Sequence, residues 1–395
     1  MPTRPCWVEI RTQSLEENYR FLAGLAAPHA ELLAIVKANA YGHSLALCAP
    51  AVVRAGARWL GVTSVEEGLA VRALCADAHV LVIGGVFPGQ GAEVVRHRLT
   101  PVAWEPWQLD ELAGAAHAAG AVSGSLPVHL EIDTGMSRQG VGPDALGAAL
   151  ARFSAASPLR LEGVMTHLYA ADEADGAVTE AQLKRLDETL GKIEVAGLYA
   201  EWLNVGSSAA LLAGQASAIS VLAERWGMKA MMRPGLALYG LAPAFDPGFE
   251  PREPAELNAA RARLQPVLSW KTRVIGVRAV PAGAVVGYNG TFLATEPMRL
   301  ALLPAGYGDG VDRRLGNRFS LLVRGQRAPM VGRVSMDQSV LDVTDIPEVD
   351  AGDEVVILGT QGGETITAFD HADAAETIPW EVFTRIGTRV RRVAV

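Results

Sequence analysis

The stretch Leu32-Leu33-Ala34-Ile35-Val36-Lys37-Ala38-Asn39-Ala40-Tyr41-Gly42-His43 decides how the chain is read. An apolar run fit for a buried strand ends abruptly in a lysine. A turn of small residues follows, and a helical pattern starts at Ser44. A lysine at the tip of a buried strand is costly to desolvate unless it is paired or neutralised. Partial burial also lowers its pKa and makes the amine a usable nucleophile. The plainer alternative is a strand-end lysine that reaches solvent.

Working outward, the pattern alternates up to about residue 240. Strands are expected near 32–36, 59–62, 79–84, 99–103, 127–132, 160–166, 200–204 and 229–233, with amphipathic helical stretches between them. Ser14 with Glu17 and Ser64 with Glu67 have the spacing of a capping box. Asp144–Ala156 and Thr179–Gly197 read as helices. Eight such alternations suit a (β/α)8 barrel. A doubly wound sheet is the alternative, but no glycine-rich fingerprint follows the first strand.

Pro243–Gln265 reads as a Pro-, Glu- and Ala-rich connector. Beyond it the texture is that of an all-β domain. Strands are expected over Val267–Val280, Val285–Leu293, Met298–Pro304, Ser320–Val323, Val331–Met336 and Glu354–Gly359, with a helical segment near Asp370–Ile378. The division expected is 1–243 for the barrel and 244–395 for the β-domain. Residues 1–12 could pack with the latter.

At 395 residues, two domains are the default. A net charge of −8 argues against nucleic acid or an anionic membrane surface as partner. No apolar run reaches the length of a membrane span. The first seven residues lack a hydrophobic signal core, so a cytoplasmic location is expected. Cys6, Cys48 and Cys75 are odd in number and widely spaced, which suits free thiols in a reducing compartment. Neither they nor the eight histidines show metal-ligand spacing, so no metal is expected.

In a barrel of this kind, chemistry sits where strands end. The expected ends carry Lys37, Asp133-Thr134-Gly135-Met136-Ser137-Arg138, Thr166-His167, Asn204-Val205-Gly206-Ser207-Ser208 and Arg233-Pro234-Gly235. The ends of strands seven and eight are a common phosphate location. Ser207 and Ser208 offer hydroxyls and amides at a helix start, although a plain N-cap would account for them. Pro234-Gly235 lets backbone amides approach closely. An amine nucleophile beside a phosphate cradle suggests pyridoxal 5′-phosphate, which needs a Schiff-base lysine, that cradle and a partner for its ring nitrogen.

Ala34–His43 resembles the cofactor-attachment signature of the bacterial alanine racemases. The resemblance continues through Asp133–Arg138, Met232-Arg233-Pro234-Gly235, Gly287-Tyr288, Gly306-Tyr307-Gly308-Asp309-Gly310 and Val331–Gln338. It implies that Lys37 holds the cofactor and is one acid/base group. Tyr288, from the second subunit of a homodimer, would be the opposite one. Racemisation needs a group on each face of the α-carbon. Tyrosine is a poor base at neutrality, so cations such as Arg138 or a His167–Arg233 pair would stabilise phenolate. Arg233 would face the ring nitrogen and keep its proton, which favours racemisation over transamination. Tyr41 and Ser208 would hold the phosphate, with amides near Gly235 and Leu236. His167 would support the ring or Arg233. Arg138 would bind the substrate carboxylate, with Met336 across the dimer and Tyr307 also on the substrate and Asp337 in support.

Two positions depart from the family. Glu131 stands where many members have a carbamylated lysine, and it is expected to orient Arg138 through a charge-assisted hydrogen bond. Trp380 stands where a tyrosine usually reaches the cofactor phosphate, and indole has only one N–H to offer. The implied activity is interconversion of L- and D-alanine for peptidoglycan. A serine or broad-specificity racemase is the nearest alternative. A non-catalytic cofactor carrier is the alternative of another class, and such proteins resemble the barrel alone. Decarboxylases of basic amino acids share the two-domain plan but use a different ring-nitrogen partner.

Overall fold

The computed structural model describes residues 4–173, 176–243, 258–259 and 262–395. The chain divides into two compact units. One comprises Gln13–Ala40 and Cys48–Gln265, the other Met1–Thr12, Tyr41–Leu47 and Pro266–Val395.

Strand β1 (Cys6–Ile10) belongs to the second unit. The first unit holds β2 (Ala30–Ile35), β3 (Trp59–Val62), β4 (His79–Val82), β5 (Thr100–Ala103), β6 (Leu126–Glu131), β7 (Leu159–Met165), β8 (Trp202–Ser207) and β9 (Lys229–Arg233). These eight pair in sequence order, and β9 closes on β2. All pairs are parallel, with registers such as Leu33↔Trp59 and Met165↔Asn204. Their near-continuous apolar runs reflect burial on both faces, as a barrel covered by helices requires. Because the strands run one way, Lys37, Glu131, His167, Ser207 and Arg233 fall at one rim.

Helix ends follow local chemistry. Ser64 caps Val65–Leu74 by accepting from Glu67 N at 3.3 Å. Ser14 is no cap. Its helix spans Thr12–Ala26, and the hydroxyl donates to Gln265 Oε1 at 3.1 Å. The stretch 144–156 holds a shorter helix, Leu146–Leu150, followed by one 3-10 turn.

In the second unit, β10 (Leu268–Arg273), β11 (Gly276–Val280), β12 (Val285–Val286), β13 (Phe292–Leu293), β14 (Met298–Leu303), β15 (Ser320–Val323), β16 (Gln326–Pro329), β17 (Ser339–Asp342), β18 (Glu354–Gln361), β19 (Glu364–Ile366) and β20 (Arg391–Ala394) form three sheets. The largest runs β16-β15-β18-β10-β1-β20, with β19 on β18.

Three expected strands are corrected here. Val267–Val280 is two strands in different sheets. Val274 N donates to Asp353 O while Ile275 N donates to Leu302 O, so consecutive residues feed separate ladders. Val285–Leu293 is a hairpin turned by Gly287, Asn289 and Gly290, all at positive φ. Val331–Met336 is a turn at Gly332 (φ 77°), and the strand follows at Ser339. Much of the expected connector, residues 244–257 and 260–261, lies outside the described residues. The segment near Asp370–Ile378 is the helix Ala368–Ala374, followed by a second at Pro379–Thr384.

Candidate active site

Lys37 follows β2 and leads into a turn of unusual handedness. Ala38, Asn39, Ala40 and Tyr41 have φ between 51° and 56°, and Gly42 continues at 78°. Such a left-handed run costs about 1–2 kcal/mol per non-glycine residue, so neighbouring groups must hold it. Glu67 does so from the next helix. One carboxylate oxygen accepts from Ala38 N at 2.7 Å and the other from Thr63 N at 2.8 Å. Burial lowers the Lys37 pKa first, Arg138 and Arg233 lower it further, and Glu67 opposes them. A site this rich in cations favours anions.

Arg233, at the end of β9, is buried and has four of its five N–H donors placed. Nη1 donates to Asn204 O and to Asn204 Oδ1, each at 2.7 Å. Nη2 donates to Thr166 O at 2.8 Å and to His167 Nδ1 at 3.1 Å. Only Nε–H makes no hydrogen bond among the described residues. Burial first, then the charges of Arg233, Arg138 and Lys37, push the His167 pKa down to about 3. The ring is therefore neutral near pH 7, and Nδ1 is the acceptor. This corrects the expected cationic pair: only Arg233 carries charge there. Burial brings its pKa down to about 10, so it still keeps its proton.

Ser208 Oγ accepts from Gly235 N at 3.0 Å and Ala237 N at 3.2 Å. Its O–H remains to donate outward. The Gly235 amide is thus already engaged, whereas Leu236 N donates to nothing among the described residues. Ser207 occupies the N-cap position without a side-chain cap bond. Tyr41 is buried, which raises its hydroxyl pKa to about 12 and keeps it a donor.

Glu131, at the end of β6, is 2% exposed. Its Oε2 accepts from Gln139 Nε2 at 2.5 Å, not from Arg138. Arg138 is exposed and makes no hydrogen bond or ion pair among the described residues. The expected Glu131–Arg138 bond is therefore absent, and their link is through-space attraction. Burial raises the Glu131 pKa, against Gln139, Arg233 and Arg138, which lower it. Behind this rim, Gln182 Nε2 donates to Thr134 Oγ1 at 2.9 Å and to His167 O at 3.0 Å, tying the loops after β6 and β7 together. Sequence reading missed Gln139 and Gln182, which nothing in their local pattern marked. It noted Glu67 only as a capping-box residue and Asn204 only within a strand end, without the roles found here.

Tyr288, Tyr307, Met336, Asp337 and Trp380 lie in the other unit. Tyr288 is 69% exposed, beside the turn that replaces the expected strand. Gly306-Tyr307 packs on Ser335-Met336 so closely that a Cβ on Gly306 would overlap Ser335 O. Arg389 ties this corner by donating to Asp309 Oδ1 at 2.8 Å and Met336 O at 3.2 Å, and it pairs with Asp337 at 2.8 Å. Trp380 is half-buried in the helix Pro379–Thr384, and its indole N–H has no partner among the described residues.

The barrel rim fits a phosphorylated pyridine aldehyde. It offers a depressed lysine amine, one unspent arginine donor for a ring nitrogen, and hydroxyl and amide donors for phosphate. A barrel of this type with an appended β-domain defines a class of pyridoxal-phosphate enzymes. Residues 10–243 match the alanine racemase N-terminal domain and residues 267–394 the C-terminal domain. An alanine racemase of Symbiobacterium thermophilum is 38% identical over 391 residues, 98% of this chain and 97% of that protein. The alanine racemase structure from a D-cycloserine-producing Streptomyces lavendulae is 34% identical, covers 100% of this chain and 98% of its own, and superposes with a TM-score of 0.87. That from Bartonella henselae, with covalently bound pyridoxal phosphate, is 26% identical, with a TM-score of 0.82 and 99% of each chain covered. The chain belongs to the alanine racemase family, whose members are pyridoxal-phosphate-dependent isomerases. No helix among the described residues is long and apolar enough to cross a membrane. Cys6, Cys48 and Cys75 are buried and form no disulfide, and among the described residues no acidic, histidine and cysteine cluster is arranged for a metal.

Proposed function

We infer that this chain interconverts L- and D-alanine with pyridoxal 5′-phosphate held on Lys37. The observation that carries the reading is Arg233: a buried guanidinium with one donor left over, at the same rim as a lysine of lowered pKa. When bound, the cofactor supplies an electron sink that acidifies the α-C–H of the amino acid joined to it. Arg233 moderates that sink by donating a hydrogen bond without giving up its proton. Lys37, with its lowered pKa, exchanges a proton at the α-carbon on one face, and the Tyr288 hydroxyl does so on the other. Arg138, unspent among the described residues, binds the substrate carboxylate. Met336 and Tyr307 complete the substrate contacts, with Asp337 behind them. Ser208, Tyr41 and Leu236 N–H hold the phosphate, and Trp380 narrows the entrance.

The functional division is 1–243 for the barrel and 244–395 for the β-domain, with residues 1–12 packing with the latter. The working unit is a homodimer in which Tyr288 and Met336 serve the partner's barrel. It acts in the cytoplasm and supplies D-alanine for peptidoglycan. The test is racemisation across a panel of amino acids with proton–deuterium exchange at the α-carbon of L-alanine. Exchange with alanine foremost supports the reading. Serine foremost makes it a serine racemase, and cofactor absorption without any exchange makes it a carrier.

A further inference from the structure

Gln182 lies on the buried stripe of the helix Ala177–Val195, between Thr179 and Leu186, and is fully buried. A glutamine there must have its amide bonded. Two backbone groups fix which way that amide faces. Tyr169 N can only donate, and it reaches Oε1 at 3.1 Å. His167 O can only accept, and it lies 3.0 Å from Nε2. The second Nε2 proton therefore goes to Thr134 Oγ1, at 2.9 Å.

The order of protons then follows along a buried chain. Thr166 Oγ1 donates to Ile132 O at 2.9 Å, so its single proton is committed there. Thr134 Oγ1, 2.8 Å from Thr166 Oγ1, must be the donor between the two hydroxyls. Toward Gln182 it presents only lone pairs, as the amide N–H requires. Hydrogen bonds thus run in one direction, from Gln182 through Thr134 and Thr166 to Ile132 O. Every donor along the chain is engaged, and a network satisfied in this way holds its members rigidly.

This chain bears on the site at two places. Thr166 and His167 are held besides by Arg233, which donates to Thr166 O and His167 Nδ1. The loop after β6 has fewer ties. Its base is closed by the bridge between Ile132 and Val141. Within it, Asp133 Oδ1 accepts from Gly135 N at 2.8 Å and Ser137 N at 3.1 Å. From outside the loop, Thr134 is reached by Gln182, by Thr166 and by Arg185, whose Nη1 donates to Thr134 O at 2.7 Å. Arg138 follows in the same loop and makes no hydrogen bond of its own among the described residues. Its place is therefore set by the backbone that carries it.

We propose that Gln182 is a positioning residue for the substrate carboxylate: through Thr134 it sets the loop that carries Arg138 against Thr166 and His167. The inference rests on the racemase reading above, in which Arg138 binds that carboxylate. A glutamine that merely packed would tolerate a glutamate of the same shape. Here an ionised carboxylate would face lone pairs on His167 O and Thr134 Oγ1, and a protonated one has a single donor for two acceptors.

The test compares the holoenzymes of wild type, Gln182→Glu, Thr134→Val, Thr134→Ser and Leu190→Ala. Leu190 is buried on the same helix and takes no part in the hydrogen-bond chain, so its truncation reports on stability alone. Gln182→Glu and Thr134→Val should raise the KM for both alanine enantiomers at least about fivefold, with kcat within about twofold of wild type, the split expected when substrate and transition state lose the same contact. Propionate, which is alanine without its amine, should bind more weakly by a similar factor in calorimetry. Amides of residues 133–139 should exchange faster in these two variants. Thr134→Ser keeps the hydroxyl and should return wild-type values. Leu190→Ala should lower the melting temperature and leave KM and loop exchange unchanged. Should Gln182→Glu fail to fold, by circular dichroism and cofactor content, the two Thr134 variants decide the matter. Wild-type KM in folded Gln182→Glu, equal values in Thr134→Val and Thr134→Ser, or the same rise in Leu190→Ala overturns the proposal. A wild type that racemises no alanine overturns the earlier reading instead, and loop exchange then decides this one.

Discussion

Glu131 shows how one side chain can keep its charge and change its partner. It is buried with an anion's requirements, and Gln139 satisfies part of them. Its effect on Arg138 is then long-range. Glu131→Gln should raise the KM for alanine with a smaller change in kcat. The loss should stay below about 1.5 kcal/mol, under the range for a hydrogen bond to a charged group, because no direct bond to Arg138 is broken. Added bicarbonate should leave the wild-type rate unchanged, since no carbamate has to form at a carboxylate. A bicarbonate-dependent wild type, or an unaltered KM in the variant, would contradict this role.

His167 offers a pH test at the same scale. Its folded pKa is down to about 3, whereas an unfolded imidazole titrates near about 6.5. Between those values the unfolded chain binds one more proton. Stability therefore rises with pH across that window and is lost as pH falls through it, with a slope of up to about 1.4 kcal/mol per pH unit. Urea unfolding of His167→Gln between about pH 4 and 6 should show a shallower loss than the wild type. Parallel curves would mean that His167 is already charged in the fold.

At the scale of elements, the left-handed turn after β2 concentrates strain where the lysine must be aimed. Such strain persists only where surrounding structure over-determines it. Here Glu67 supplies two hydrogen bonds from the N-terminal turn of the helix Val65–Leu74. Glu67→Ala removes both, each worth about 1.5–3 kcal/mol as bonds to a charged acceptor. The variant should have a lower melting temperature, and its kcat should fall more than its KM rises, because Lys37 loses its aim. A variant with wild-type kcat would show that the turn holds itself.

For the whole molecule, Lys37 and Tyr288 lie in different compact units of the chain. Tyr288, Tyr307 and Met336 are exposed by 69%, 43% and 54%. Exposed apolar surface marks an interaction site where it is contiguous, and a shared site would cover these three side chains. Lys37→Ala and Tyr288→Phe subunits, inactive alone, should regain activity when mixed and exchanged. Sharing of sites between subunits predicts recovery of about a quarter of wild-type sites for random pairing. No recovery after verified exchange would place both residues in one subunit's site.

Much of this could be read from the chain by itself. The barrel strands are continuous apolar runs between amphipathic helices, and that periodicity survives without tertiary context because burial on both faces demands it. Lys37 and Arg233 were legible because strand ends in parallel barrels share one rim. The β-domain was legible in kind but not in register. Whether Val274 and Ile275 continue a strand or part to two sheets depends on which ladder reaches each amide, and both residues are equally apolar. The long-range partners were hidden for the same reason. Glu67, Asn204 and Gln182 act on atoms 29, 29 and 48 residues away in the chain. Gln139, eight residues from Glu131, competes with a neighbouring Arg138 for one carboxylate. Sequence determines which side chains are present and at which strand ends. Only the folded geometry decides which donor reaches which acceptor, because a hydrogen bond requires an approach within about 3 Å that spacing along the chain does not set.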